Sequence, residues 1–153
     1  RFGVEGFLPT DKKERQVVLE RLKKETRTTV FYEAPHRLLK TLPLLIEAAG
    51  EDRKVSVCRE ITKRHETVFR ATLGEAYAYY QANEPKGEIV LVLDGVSQKK
   101  LDEEQQQSWE SMSIEDHMAL YMSQGLQKKE AMKLVAKDRG IGKRDVYQML
   151  LEE

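Results

Sequence analysis

The sequence predicts an α/β fold: a mixed sheet of about four to five strands flanked by helices, followed by a small three-helix domain. Three observations predict it. Strand-like and helix-like segments alternate as β-α-β-α-β-(β)-α-β through residue 95. The run EIVLVL at 88–93 is apolar throughout, which predicts a central strand buried on both faces. A polar break over 97–111 then separates this part from a tail with helical periodicity.

Residues 2–8 alternate loosely as a short strand, broken by Pro9-Thr10-Asp11. Asp11 followed by Glu14 is a capping box and predicts a helix over 12–24. TTVFYE at 28–33 is β-branched and aromatic, hence a strand. Pro35 suits the first turn of the next helix. Leu38, Leu39, Leu42, Leu45 and Ile46 share its apolar face, Pro43 should bend it, and Gly50 stops it. Residues 54–59 alternate around Val55 and Val57 as a third strand, and 66–71 suit a short fourth. Thr72 and Glu75 form a second capping box, ahead of a helix faced by Leu73, Ala76, Tyr77 and Tyr80.

Residues 97–111 hold three consecutive glutamines, four acids and a lone Trp109, and read as a mobile linker. Short helices follow over 114–124, 128–138 and 143–151, with Ser113 as a cap and Gly125, Gly140 and Gly142 as turns. The domain organisation is thus 1–96, a linker over 97–112, and a helix-turn-helix-like domain over 113–153.

The 26 basic and 26 acidic residues cancel, so distribution rather than net charge must identify a polyanionic partner. The single cysteine, Cys58, excludes an internal disulfide and fits a reducing, cytoplasmic setting. No apolar run is long enough to span a membrane, and no Cys/His cluster has metal-ligand spacing. The chain opens at Arg1 without methionine and enters a strand almost at once, which reads as a cut inside a larger protein.

Four segments carry candidate chemistry. FYEAPHR at 31–37 ends a strand and starts a helix, presenting His36 and Arg37 where ligands collect in open α/β sheets. It equally suits a turn whose arginine pairs with Glu33. CREITKRHE at 58–66 crowds a strand end and its loop. From Arg53 to Arg70 there are six basic residues against two acids, suited to a phosphate backbone or to a solvated loop laced with ion pairs. Gly87, ahead of the central strand, either admits a ligand close to the backbone or makes a turn. In the tail, Ala136, Gly140 and Val146 have helix-turn-helix spacing. Seven positive charges there, Lys143 and Arg144 among them, face three acids between 126 and 147, suiting nucleic acid or protein docking.

Together, GFLP (6–9), FYEAPHRL (31–38), CREITKRHE (58–66) and KGEIVLVLDG (86–95) closely resemble the ribosomal RNA small subunit methyltransferase I family of the tetrapyrrole-methylase superfamily. The tail from Ser113 resembles that family's small C-terminal helical domain more loosely. The resemblance implies 2′-O-methylation of a cytidine in small-subunit rRNA, with S-adenosylmethionine as donor, in a homodimer. It implies that this chain is the C-terminal part, lacking the glycine-rich N-terminal domain and holding half of the cofactor cleft. By position, Tyr32, Glu33 and Ala34 should line the methionine part of the donor, and Gly87, Glu88 and Ile89 the adenine through backbone groups. The RNA side falls to Arg37, Arg59, Thr62, Lys63 and Arg64, with Lys143 and Arg144 in the tail.

Methyl transfer to a hydroxyl needs in-line positioning and either a proton acceptor or a cation for the forming alkoxide. Lys63 is the candidate, as that cation or as a base of lowered pKa, with Glu60 orienting it. The rival readings are a small-molecule tetrapyrrole or corrin methylase of the same fold and a non-catalytic RNA- or protein-binding module. The basic loop and tail speak against the first.

Overall fold

The computed structural model describes residues 1–152 and divides into two units, residues 1–97 and 98–153. The first unit runs β1 (Phe2–Phe7), α1 (Lys12–Leu22), β2 (Thr28–Glu33), a 3-10 turn (Pro35–Arg37), α2 (Leu38–Ala49), β3 (Lys54–Arg59), β4 (Thr67–Thr72), α3 (Leu73–Ala82) and β5 (Ile89–Leu93). The sheet order is β1-β2-β5-β3-β4. Only β1 and β2 pair in parallel; β5 lies antiparallel between β2 and β3, and β3 lies antiparallel to β4. The mixed sheet and the central place of β5 are as the sequence predicted.

Burial in β5 alternates, and this corrects one expectation. Ile89, Leu91 and Leu93 are buried, whereas Val90 and Val92 are only half-buried. Their neighbours follow the same parity: Phe31, Val55 and Val57 are buried, while Tyr32, Val68 and Val4 are exposed. The core therefore lies on one face of the sheet, where Leu38, Leu42 and Leu45 of α2 and Leu73, Ala76 and Tyr80 of α3 join it. An apolar run signals a central strand; it does not by itself require helices on both sides.

Local chemistry sets the ends of these elements. Asp11 caps α1 by accepting from the amides of Lys13 and Glu14. Thr72 and Glu75 form the complete reciprocal capping box on α3. The first turn after β2 is 3-10 rather than α, so α2 itself begins at Leu38, with Pro43 inside it.

The second unit holds α4 (Gln98–Glu110), α5 (Ile114–Ser123), α6 (Lys128–Arg139) and α7 (Lys143–Glu152). Helix α4 replaces the expected linker. None of its residues is fully buried. Its surface carries i,i+4 pairs, Gln98 with Asp102 and Lys99 with Glu103, of the kind that stabilise isolated helices. The three expected helices follow, packed around Ile114, Met118, Ala131, Val135 and Val146. Gly140 ends α6 in the left-handed conformation, φ 65°, letting α7 turn back after residues 140–142. No helix among the described residues is long and apolar enough to cross a membrane.

Candidate functional site

Strand β2 and the segment entering β5 run antiparallel, so the end of one lies beside the start of the other. Glu33 pairs in register with Ile89, and Tyr32 with Val90. A groove of about 590 Å³ opens at this junction, within the range of small-molecule sites. It is lined by Phe7, Tyr32, Glu33, Ala34, Pro35, Glu60, Gly87, Glu88, Ile89 and Val90. All six residues expected on the cofactor side therefore share one groove.

The groove's apolar wall comes from the sheet's uncovered face. The rings of Phe7 and Tyr32 meet edge-on, with centroids 5.9 Å apart. Both are substantially exposed, at 58% and 44%. The floor is anionic. Glu33 is 3% exposed; its Oε1 accepts from the Ala34 amide at 2.8 Å, and its Oε2 accepts from the Thr41 hydroxyl at 2.5 Å. The Arg37 guanidinium stands 3.8 Å from the same carboxylate and donates to the Leu8 carbonyl at 3.4 Å. Thus one buried carboxylate ties together the end of β2, the 3-10 turn and α2. A buried charge is tolerated only with such partners.

The opposite rim is built by the loop after β3. The Glu60 amide donates to the Glu88 carbonyl at 2.9 Å, and the Glu88 amide donates to Glu60 Oε1 at 2.5 Å. Arg59 Nε donates to the Lys86 carbonyl at 2.8 Å. Lys63 Nζ lies 3.2 Å from Glu60 and 2.9 Å from Glu88. Thr62 donates its amide to Glu66 at 2.6 Å. The loop turns through two left-handed non-glycine residues, Glu60 at φ 51° and Thr62 at φ 66°.

These contacts revise three sequence readings. The space above Gly87 is not open to a ligand: a Cβ there would collide with the Glu60 carboxylate, and the backbone is left-handed at φ 80°. The glycine admits a side chain of the protein itself. Lys63 is not a base of lowered pKa. Hydrogen bonds to Glu88 and then Glu60 push its pKa up, so the amine stays charged; the same clasp, led by the Glu88 amide, holds the Glu60 carboxyl below its usual range. Arg37 and Arg59, expected to face RNA, each spend at least one donor on a main-chain carbonyl. Arg64 remains exposed on the loop, and Lys143 and Arg144 are exposed at the start of α7.

Two features were missed in the sequence. Thr41 is the only polar residue among the buried positions of α2, and that placement was a readable signal for a buried partner. In the second unit, His117 is fully buried between the rings of Trp109 and Tyr121. Arg139 Nε donates to its Nδ1 at 3.0 Å, so the ring proton sits on Nε2, 3.1 Å from Asp138. The Tyr121 hydroxyl donates to the same Asp138 oxygen.

Comparison with known proteins places these residues among relatives. Residues 2–77 match the model of the Tetrapyrrole (Corrin/Porphyrin) Methylases. The chain is 43% identical over 142 residues to the ribosomal RNA small subunit methyltransferase I of Bacillus subtilis (strain 168), covering 93% of this chain and 48% of that protein. It is 43% identical over 148 residues to the protein of that name from Halalkalibacterium halodurans, covering 97% and 50%. The Synechocystis protein of the same name is 40% identical over 152 residues, covering 99% and 53%. The chain thus spans about half the length of the curated relatives it matches.

Proposed function

The chain belongs to the tetrapyrrole methylase family, and on that premise we propose that it carries a cofactor-binding groove of an S-adenosylmethionine-dependent methyltransferase whose substrate is small-subunit ribosomal RNA. The acceptor in this reading is a cytidine 2′-hydroxyl, and the protein works as a homodimer in the cytoplasm. The observation that carries the proposal is the convergence of residues 32–34 and 87–89 on one groove. Relatives named as ribosomal RNA methyltransferases support the substrate class.

The donor supplies a methyl group on a positively charged sulfur. The groove suits such a group. The exposed Tyr32 ring offers a face that attracts cations, and the buried Glu33 carboxylate supplies negative charge at the floor. Phe7 and Val90 offer apolar surface to a purine. With both main-chain groups of Glu88 engaged by Glu60, a purine contacts this edge through shape and apolar surface more than through Glu88 hydrogen bonds.

On the RNA side, Arg64, Thr62 and Lys63 sit on the loop at the rim, and Lys143 and Arg144 on the second unit. Lys63, kept protonated, serves as a cation beside a forming alkoxide rather than as a proton acceptor. Transfer of labelled methyl from S-adenosylmethionine to small ribosomal subunits, mapped to the nucleotide, tests the proposal. Label at a cytidine 2′-oxygen, with binding that weakens steeply as salt rises, is the expected result. Label on a tetrapyrrole and none on RNA contradicts it.

A further inference from the structure

We infer that Glu60 is a positioning residue: by clasping both main-chain groups of Glu88 it holds the 86–89 edge of the groove in the shape that receives the cofactor, and binds the basic loop to that edge. The inference rests on the groove reading proposed above, but its geometry is independent of it.

The clasp closes a ring. Glu60 gives its amide to the Glu88 carbonyl and takes the Glu88 amide on its carboxylate, across 28 residues of chain. Each loop residue flanking Glu60 in function reinforces this contact: Arg59 takes the Lys86 carbonyl, and Lys63 bridges the Glu60 and Glu88 carboxylates. Hydrogen bonds to an ionised acceptor are the stronger kind. The strand partner of Arg59 is Ile89, so the clasp begins where the β3–β5 ladder ends and continues its pairing into the groove rim.

Two costs show that the contact is specified. Glu60 and Thr62 adopt left-handed backbone without being glycine, a conformation that persists only where surrounding contacts determine it. A side chain at position 87 would push the Glu60 carboxylate out of the space it fills and would strain a left-handed backbone, φ 80°. Two of these positions, Glu60 and Gly87, line the groove, so the costs bear on its rim. Glu60 and Glu88 both line it. The loop that follows carries Lys63 and Arg64, so a shift at Glu60 moves the proposed RNA-facing charges and the cofactor edge together.

The alternative role for the same carboxylate is a place-holder that a purine must displace, and the two roles predict opposite effects. The test compares wild type, E60A, E60Q and K63A by calorimetric titration with S-adenosylmethionine and by hydrogen exchange at the Glu88 amide. Loss of one charge-assisted hydrogen bond predicts roughly tenfold faster exchange at Glu88 in E60A and a comparable loss of S-adenosylmethionine affinity. E60Q, whose amide oxygen still accepts from Glu88, recovers most of both, and K63A keeps Glu88 protected. Pairing E60A with G87A relieves part of the G87A defect, because the carboxylate that a Cβ would strike is gone. Affinity in E60A equal to or above wild type, or unchanged exchange at Glu88, overturns the inference. Absence of S-adenosylmethionine binding by wild type instead sinks the groove reading and Glu60's role toward the cofactor, and the exchange rates still decide the clasp.

Discussion

The Thr41 hydroxyl donates to the Glu33 carboxylate at 2.5 Å inside the fold, eight residues away along the chain. That bond joins a buried face of α2 to the floor of the groove. It makes the site's anionic floor part of the core rather than an appendage to it.

Replacing Thr41 by valine keeps the shape and removes the donor. One oxygen of a buried carboxylate is then unpaired, and unfolding free energy should fall by about 1–3 kcal/mol. Serine, which restores the hydroxyl and loses one methyl, should cost about 1 kcal/mol. Urea denaturation of the two variants checks this; a valine variant as stable as wild type would show that the bond contributes nothing.

In the second unit, the hydrogen bond to Asp138 pushes Tyr121 up to about 12, with burial adding to it. A phenol whose folded pKa is raised contributes stability that is fully present below its unfolded pKa near 10 and is lost as pH rises through about 12. The contribution is on the order of 1–2 kcal/mol once solvent screening is allowed for. Difference titration of tyrosinate absorbance, wild type minus Y121F, should centre near 12. A midpoint near 10 contradicts the Asp138 contact.

Lys63 is charged throughout the working range, because its two carboxylate partners raise its pKa. The stability that its raised pKa contributes is fully present below the unfolded value of 10.5, while its carboxylate partners stay ionised, and is lost as pH rises through the raised one. The pH profile of methyl transfer between about pH 6 and 9 should therefore contain no step that K63A removes. K63R, which preserves the charge, should retain more turnover than K63A. A limb near neutrality that disappears in K63A would restore the base assignment.

How much of this was legible in the sequence depends on which force sets each feature. Strands β2 and β3 fall at 28–33 and 54–59 as read, because β-branched and aromatic runs bounded by polar turns admit few alternatives. Helix α4 was not legible as a helix. Its Gln, Glu and Lys residues suggest a linker by polarity, yet they are good helix formers, and Trp109 near its end stacks on buried His117. The six groove residues were found through motif resemblance. What filled the space over Gly87 was not legible, since Glu60 reaches it from the end of the neighbouring strand β3, a pairing that chain order alone does not fix. Nor does sequence distinguish a basic side chain that ties down a carbonyl, as Arg59 does, from one that faces solvent, as Arg64 does.

The central claim is that residues 32–34 and 87–90 form the surface that receives S-adenosylmethionine, and amide chemical shifts test it most directly. Titrating the donor into isotope-labelled protein should move the amides of Tyr32, Glu33, Ala34, Gly87, Ile89 and Val90 together, with one shared binding curve. Shifts that leave these amides in place while others move would put the donor elsewhere and contradict the account.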